Sequence, residues 1–121
     1  MTTGRLTLLT ALVAAALSVA ANAAAATPKL TGEVGPSFTI EVKMGHDKDV
    51  KTLKAGTYTI KVEDKASIHN FHLKGPGVNK STGVSFTGVQ TWKVKLTKGT
   101  YTYQCDPHAS AGMKGTFKVT G

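Results

Sequence analysis

The sequence is short of several things that would announce a function. It has a single cysteine, Cys105, in 121 residues, so no internal disulfide can form. Small exported domains are often stapled by several; this one must rely on a packed core. Its only arginine is Arg5, and every other basic residue is lysine. A nucleic-acid reader is not expected from a chain with almost no arginine and no known binding motif. Acidic residues are scarce, 7 against 15 Lys plus Arg. Methionine is scarce too, confined to Met1, Met44 and Met113, which argues against a Met-rich metal-ferrying segment. There is no internal repeat. Beyond the N-terminus, apolar residues nowhere recur at i, i+3, i+4, i+7 over three turns, so helices are not expected.

The one long apolar run covers residues 6–20, about 15 residues. A membrane-spanning helix needs roughly 20, so an anchor is the weaker reading. Residues 1–5 are polar with one positive charge, and Ala21-Asn22-Ala23 has the small-x-small pattern of a cleavage site. That order reads as a secretory signal, cut after Ala23 or, alternatively, Ala26. The expected product is exported, periplasmic or secreted, and consists of one domain over residues 24–121. At 95 to 98 residues it can bury one core. A lone thiol in an oxidising compartment is a liability unless it has a use. The lysine excess makes a surface suited to acidic protein partners or to peripheral contact with an anionic membrane, besides serving solubility.

What the chain has in quantity is alternation with period two. Phe38, Ile40, Val42 and Met44 alternate with polar residues, as do Tyr58, Ile60 and Val62, then Trp92, Val94 and Leu96. Tyr101, Tyr103 and Cys105 share one face, and Phe117 and Val119 close the chain. Each run has one apolar face and one Lys/Thr face, as in antiparallel strands packed on one side. Turns are expected at Lys54-Ala55-Gly56, Lys74-Gly75-Pro76-Gly77 and Lys98-Gly99. Residues 24–34 read as an irregular lead-in or first edge strand, and residues 45–51 as a loop or one helical turn. Short strands with one polar face each need a second sheet to cover the other face, which implies an all-β two-sheet sandwich.

The chemistry concentrates in Cys105-Asp106-Pro107-His108-Ala109-Ser110-Ala111-Gly112-Met113. A soft thiolate is followed by an imidazole three residues on and a thioether five residues later. Pro107 and Gly112 keep the stretch from continuing a strand or entering a helix. Upstream, His69 supplies another imidazole within Ile68-His69-Asn70-Phe71-His72-Leu73. Two His and one Cys in a near-trigonal plane, with a distant axial Met, form the ligand set of blue copper.

In the spacing Cys, two residues, His, four residues, Met, and in the His69-Asn70 pair, the chain resembles the cupredoxins of the plastocyanin-like and pseudoazurin-like kind. The likeness covers residues 38–121 in strand order and is sharp only in these two segments. It implies a Greek-key sandwich and one type 1 copper ion held by His69, Cys105, His108 and Met113. It also implies roles nearby. Asn70 would tie the upstream strand to the cysteine loop. Pro107, without an N–H to offer the sulfur, would tune the potential. The expected electron port is the edge of His108, ringed by an apolar patch of Ala109, Ala111, Gly112, Pro76 and Gly77. By strand parity, His69, Phe71 and Leu73 face the core and His72 faces solvent; His46 sits in a charged loop.

The function implied is a monomeric carrier shuttling single electrons between redox partners with acidic patches, and not an enzyme. The alternatives are copper storage or delivery, and a metal-free adhesive sandwich. A Cys105–His108 nucleophile pair would need a cleft and an orienting third group, and none is evident.

Overall fold

The computed structural model of the chain describes residues 15–16, 26–45 and 47–121. Apart from residues 15–16, the expected secretory signal lies outside the described residues, as does His46. Among the described residues, ten strands form two five-stranded sheets. In chain order they are β1 (Lys29–Val34), β2 (Ile40–Met44), β3 (Lys48–Asp49), β4 (Thr52–Lys54), β5 (Gly56–Asp64), β6 (His72–Gly75), β7 (Val78–Ser81), β8 (Gly88–Leu96), β9 (Gly99–Gln104) and β10 (Lys114–Thr120). The first sheet runs β3-β2-β1-β5-β8 and the second β4-β10-β9-β6-β7. Consecutive strands switch sheets repeatedly, as the expected Greek-key sandwich requires.

The alternating side chains meet between the sheets. Leu30, Val42, Ile60, Val62, Trp92, Val94 and Leu96 from the first sheet face Leu53, Leu73, Tyr101, Phe117 and Val119 from the second. Aromatic rings stack across the second sheet, Tyr101 on Phe117 with centroids 5.4 Å apart and Phe71 on Tyr103 at 6.2 Å. The predicted turns fall between β4 and β5, β6 and β7, and β8 and β9.

Some expectations are corrected. β1 is not an edge strand; it lies in the middle of its sheet, antiparallel to β2 and parallel to β5. β4 and β10 are also parallel, so neither sheet is purely antiparallel. Residues 45–51, read as a loop or helical turn, include the short strand β3, paired with β2. The alternation beginning at Phe38 outruns the strand, which starts at Ile40. Phe38 precedes it and is 62% exposed, while Met44 at the far end is 39% exposed.

Pairing places the candidate ligands. β6 and β9 are antiparallel with His72 opposite Gln104. The segment just before β6 and the one just after β9 therefore share one end of the sheet, bringing His69 to Cys105. β10 is antiparallel to β9 with Lys114 opposite the same Gln104, which returns Met113 to that end.

Candidate metal centre

Between β9 and β10 the chain forms a 3-10 turn, Asp106–Ala111, where the sequence suggested no helical structure. Pro107 sits in its first positions, where a missing N–H costs nothing. Gly112 ends the turn with φ 97°, a left-handed conformation that glycine adopts freely. Backbone bonds close this loop on itself: His108 N–H to Cys105 O at 3.1 Å, Met113 N–H to His108 O at 3.2 Å, and Cys105 N–H to Met113 O at 3.0 Å. Three of the four expected donors are thus laced together by their own backbone.

The side chains converge. His69 Nδ1 and His108 Nδ1 are 3.0 Å apart. Cys105 Sγ lies 3.4 Å from His108 Nδ1 and 3.7 Å from His69 Nδ1. Nitrogen and sulfur bonds to a d-block ion run about 2.0–2.3 Å, so three donors around one ion should stand about 3–4 Å apart. His69, Cys105 and Met113 are buried and His108 is half-buried. The other ring nitrogen of His69, Nε2, is buried without a hydrogen-bond partner, so that imidazole has its polar company only on the Nδ1 side. Two imidazoles, a thiolate and a neighbouring thioether are too soft a set for calcium or magnesium and suit a single type 1 copper.

Asn70 is buried beside the site. Its Nδ2–H donates to Asp106 Oδ2 at 2.8 Å, and its Oδ1 accepts the Asp106 N–H at 2.7 Å. His72 stands apart from the three donors, with Nδ1 2.9 Å from Asp106 Oδ1 and Nε2 2.6 Å from Asn79 Oδ1. Ala109 is half-buried and Ala111 exposed on the turn next to His108. Pro76 is not near His108, and with it falls Gly77. β6 runs away from the His69 end, so Pro76 lies beside Tyr101 and Gly99. Its carbonyl accepts the Tyr101 hydroxyl at 2.8 Å, about 13 Å down β9 from Cys105 at strand rise.

Besides Asp106, two residues went unrecognised in the sequence. Phe38 stands edge-on to both imidazoles, its ring centroid 5.3 Å from that of His69 and 4.8 Å from that of His108. It takes the place at the rim that Pro76 was expected to fill. Its position after Gly35-Pro36-Ser37, a turn sequence, was the available signal. The second is Asp64, a carboxyl only 2% exposed at the end of β5. Burial pushes it above the usual carboxylate range, against the opposing effects of the Ala66 N–H, the Thr82 hydroxyl and the charge of His69. Thr82 Oγ1 also accepts the Phe71 N–H at 2.8 Å, so Asp64, Thr82 and Phe71 form a buried polar link beneath the histidine.

Gly35 shapes the wall behind His69. Its φ is 75°, and a Cβ there would come 3.0 Å from His69 Cδ2 and 3.4 Å from the Ala66 methyl. Left-handed backbone costs a non-glycine residue about 1–2 kcal/mol, and the new methyl pushes on the imidazole. Gly35→Ala is expected to destabilise the metal-free protein by at least that amount and to weaken Cu(II) binding. Thermal unfolding and a chelator competition measure the two effects; an unchanged Cu(II) affinity would show that the wall does not set the His69 ring.

Comparison with known proteins agrees with this geometry. A family model described as copper binding proteins, plastocyanin/azurin family, matches residues 27–120. The chain is 34% identical to plastocyanin A/B of Petroselinum crispum, over 65% of this chain and 98% of that one. It is 29% identical to a plastocyanin of Nostoc punctiforme, over 87% of each. Among solved structures, rusticyanin from Thiobacillus ferrooxidans superposes with a TM-score of 0.53 at 26% identity, over 76% of each chain. With its sandwich, its His/Cys/His cluster and this match over all ten described strands, the chain belongs to the plastocyanin/azurin family of copper-binding proteins, the cupredoxins.

Proposed function

We propose that the protein is an exported one-electron carrier, not an enzyme, with its copper ligated by His69, Cys105, His108 and, axially, Met113. The observation that carries this reading is the convergence of Nδ1, Nδ1 and Sγ within 3.7 Å of one another at the end of a stiff sandwich. Copper bound there supplies a one-electron couple between Cu(II) and Cu(I). The chain's part is to hold the donors in one arrangement for both states, so that little reorganises on transfer. The backbone lacing of the 3-10 turn, the Asn70–Asp106 bonds and the buried position of His69 do that. His108 is the half-exposed donor. Rimmed by Phe38, Ala109 and Ala111, it presents an apolar opening through which an electron reaches a docked partner. A storage or delivery protein would instead benefit from exposed, exchangeable ligands, and Cys105 and His69 are fully buried. A redox titration should show one reversible one-electron couple; irreversible loss of Cu(I) on reduction would favour delivery instead.

Charge is distributed unevenly between the sheets, and this supports an acidic partner. On the first sheet Lys43 and Lys61 are paired with Glu41 and Glu63, and Lys65, just past β5, is paired with Glu33 of β1. Strands β4, β6, β7, β9 and β10 carry no Asp or Glu, while Lys54, Lys74, Lys80, Lys114 and Lys118 are exposed on them. The second sheet is therefore an unneutralised basic face running up to the ligand turn. The bimolecular rate with an acidic redox protein is expected to fall about tenfold or more from low to high ionic strength. Lys114→Glu with Lys118→Glu should slow it at low salt; a rate indifferent to salt would remove the electrostatic part of the proposal. An anionic vesicle surface is the other candidate for this face, and co-sedimentation distinguishes the two.

A further inference from the structure

The most heavily hydrogen-bonded side chain at this end of the sandwich is not a metal donor. Asp106 follows Cys105 directly and opens the turn that carries His108. Its carboxylate accepts Asn70 Nδ2–H at 2.8 Å and Gln104 Nε2–H at 2.8 Å, and His72 Nδ1 lies 2.9 and 3.0 Å from its two oxygens. Its backbone N–H donates to Asn70 Oδ1 at 2.7 Å. These partners sit at telling places. Asn70 follows His69, Gln104 precedes Cys105, and His72 stands opposite Gln104 at the start of β6. One carboxylate therefore joins the chain on both sides of Cys105 to the chain just after His69.

Two features set this cluster apart from an ordinary surface contact. The Asp106 side chain accepts from Asn70, Gln104 and His72 across the gap between the His69 segment and the Cys105 turn. It is also the only Asp or Glu on the second sheet or its ligand turn among the described residues. A carboxylate with its lone pairs filled by three side-chain donors is fixed in orientation.

We propose that Asp106 is a positioning residue for the copper centre, fixing the angle between the His69 segment and the Cys105–His108 turn and placing a hydrogen-bonded carboxylate beside the thiolate. The inference rests on the electron-carrier reading. On reduction one electron enters from a reduced partner, no bond forms or breaks, and the centre loses one unit of positive charge. A fixed anion nearby opposes that change, so it holds the potential lower than a neutral residue would.

The test uses the full copper-loaded chain and two variants. Asp106→Asn keeps the size and most of the hydrogen bonding while removing the charge; Asp106→Ala removes both. The readouts are reduction potential, Cu(II) EPR hyperfine splitting, chelator competition, and thermal unfolding of the metal-free protein. Asp106→Asn is expected to raise the potential with the hyperfine pattern close to wild type. Asp106→Ala should raise it as well, alter the hyperfine splitting and weaken Cu(II) binding about tenfold or more, the usual effect of losing a residue that orients ligands. If both variants keep the wild-type potential and EPR and only melt earlier, Asp106 is merely structural and the proposal is overturned. If Asp106→Ala does not fold, an unchanged potential in Asp106→Asn overturns the charge claim by itself. A wild-type protein without a type 1 spectrum would instead overturn the reading beneath it.

Discussion

Replacing Cys105 with serine is expected to abolish the intense visible absorption of the copper-loaded protein and all electron transfer, while the sandwich stays folded. The thiolate is the soft donor of the set, with Sγ 3.4 and 3.7 Å from the two Nδ1 atoms. A serine hydroxyl occupies nearly the same space but does not ionise in the working pH range, and it offers no sulfur orbital for charge transfer. The loss is of the centre, not of packing. Cys105 is fully buried, but the new hydroxyl would meet two imidazole nitrogens able to bond it. The metal-free variant should therefore stay within about 1–2 kcal/mol of wild type. Absorption spectra and EPR of the Cu(II) forms, with thermal melts of the metal-free forms, separate these effects. A variant that kept the intense band would remove Cys105 from the ligand set.

The largest expected loss of stability comes from Phe71→Ala. The ring is fully buried, stacked on Tyr103 at 6.2 Å and tilted against Trp92 at 6.1 Å. It fills a slot opened by Gly32, where even a Cβ would come 2.6 Å from Phe71 Cζ. A cavity in such a tightly bounded place collapses poorly, so the cost should be about 3–5 kcal/mol. Against a total of about 5–15 kcal/mol for a small domain, that lowers the melting temperature by on the order of 15 °C or more. The residue also follows Asn70 and lies two positions from His69, and its N–H is bound by Thr82. Cu(II) affinity should fall with stability. Urea unfolding of the metal-free protein measures the first; a cost under about 1 kcal/mol would mean the core closes over the gap.

The sequence was most informative where chemistry and spacing are local. Cys105, His108 and Met113 lie in one nine-residue stretch, and strand parity separated His69, turned inward, from His72. What it concealed depends on which strands pair. Period-two alternation shows that a strand has an inner face but not who its neighbours are, so β1 looked like an edge and the parallel β1–β5 and β4–β10 pairs were invisible. Pro76 was assigned to the wrong end because the direction of β6 relative to the site follows only from its pairing with β9. Phe38 was absorbed into an alternation that a turn at Gly35-Pro36-Ser37 cuts short. Asp106 was passed over because two of its three side-chain donors, Asn70 and His72, lie more than thirty residues away, and Asp64 because a lone carboxylate at a strand end ordinarily faces water.

The most direct test of the account is the visible absorption and EPR spectrum of the purified protein after addition of one equivalent of Cu(II). The account predicts an intense thiolate-to-copper band with a narrow copper hyperfine pattern. A pale band with an ordinary tetragonal copper spectrum would contradict it, for copper would then be bound outside the His69–Cys105–His108 cluster.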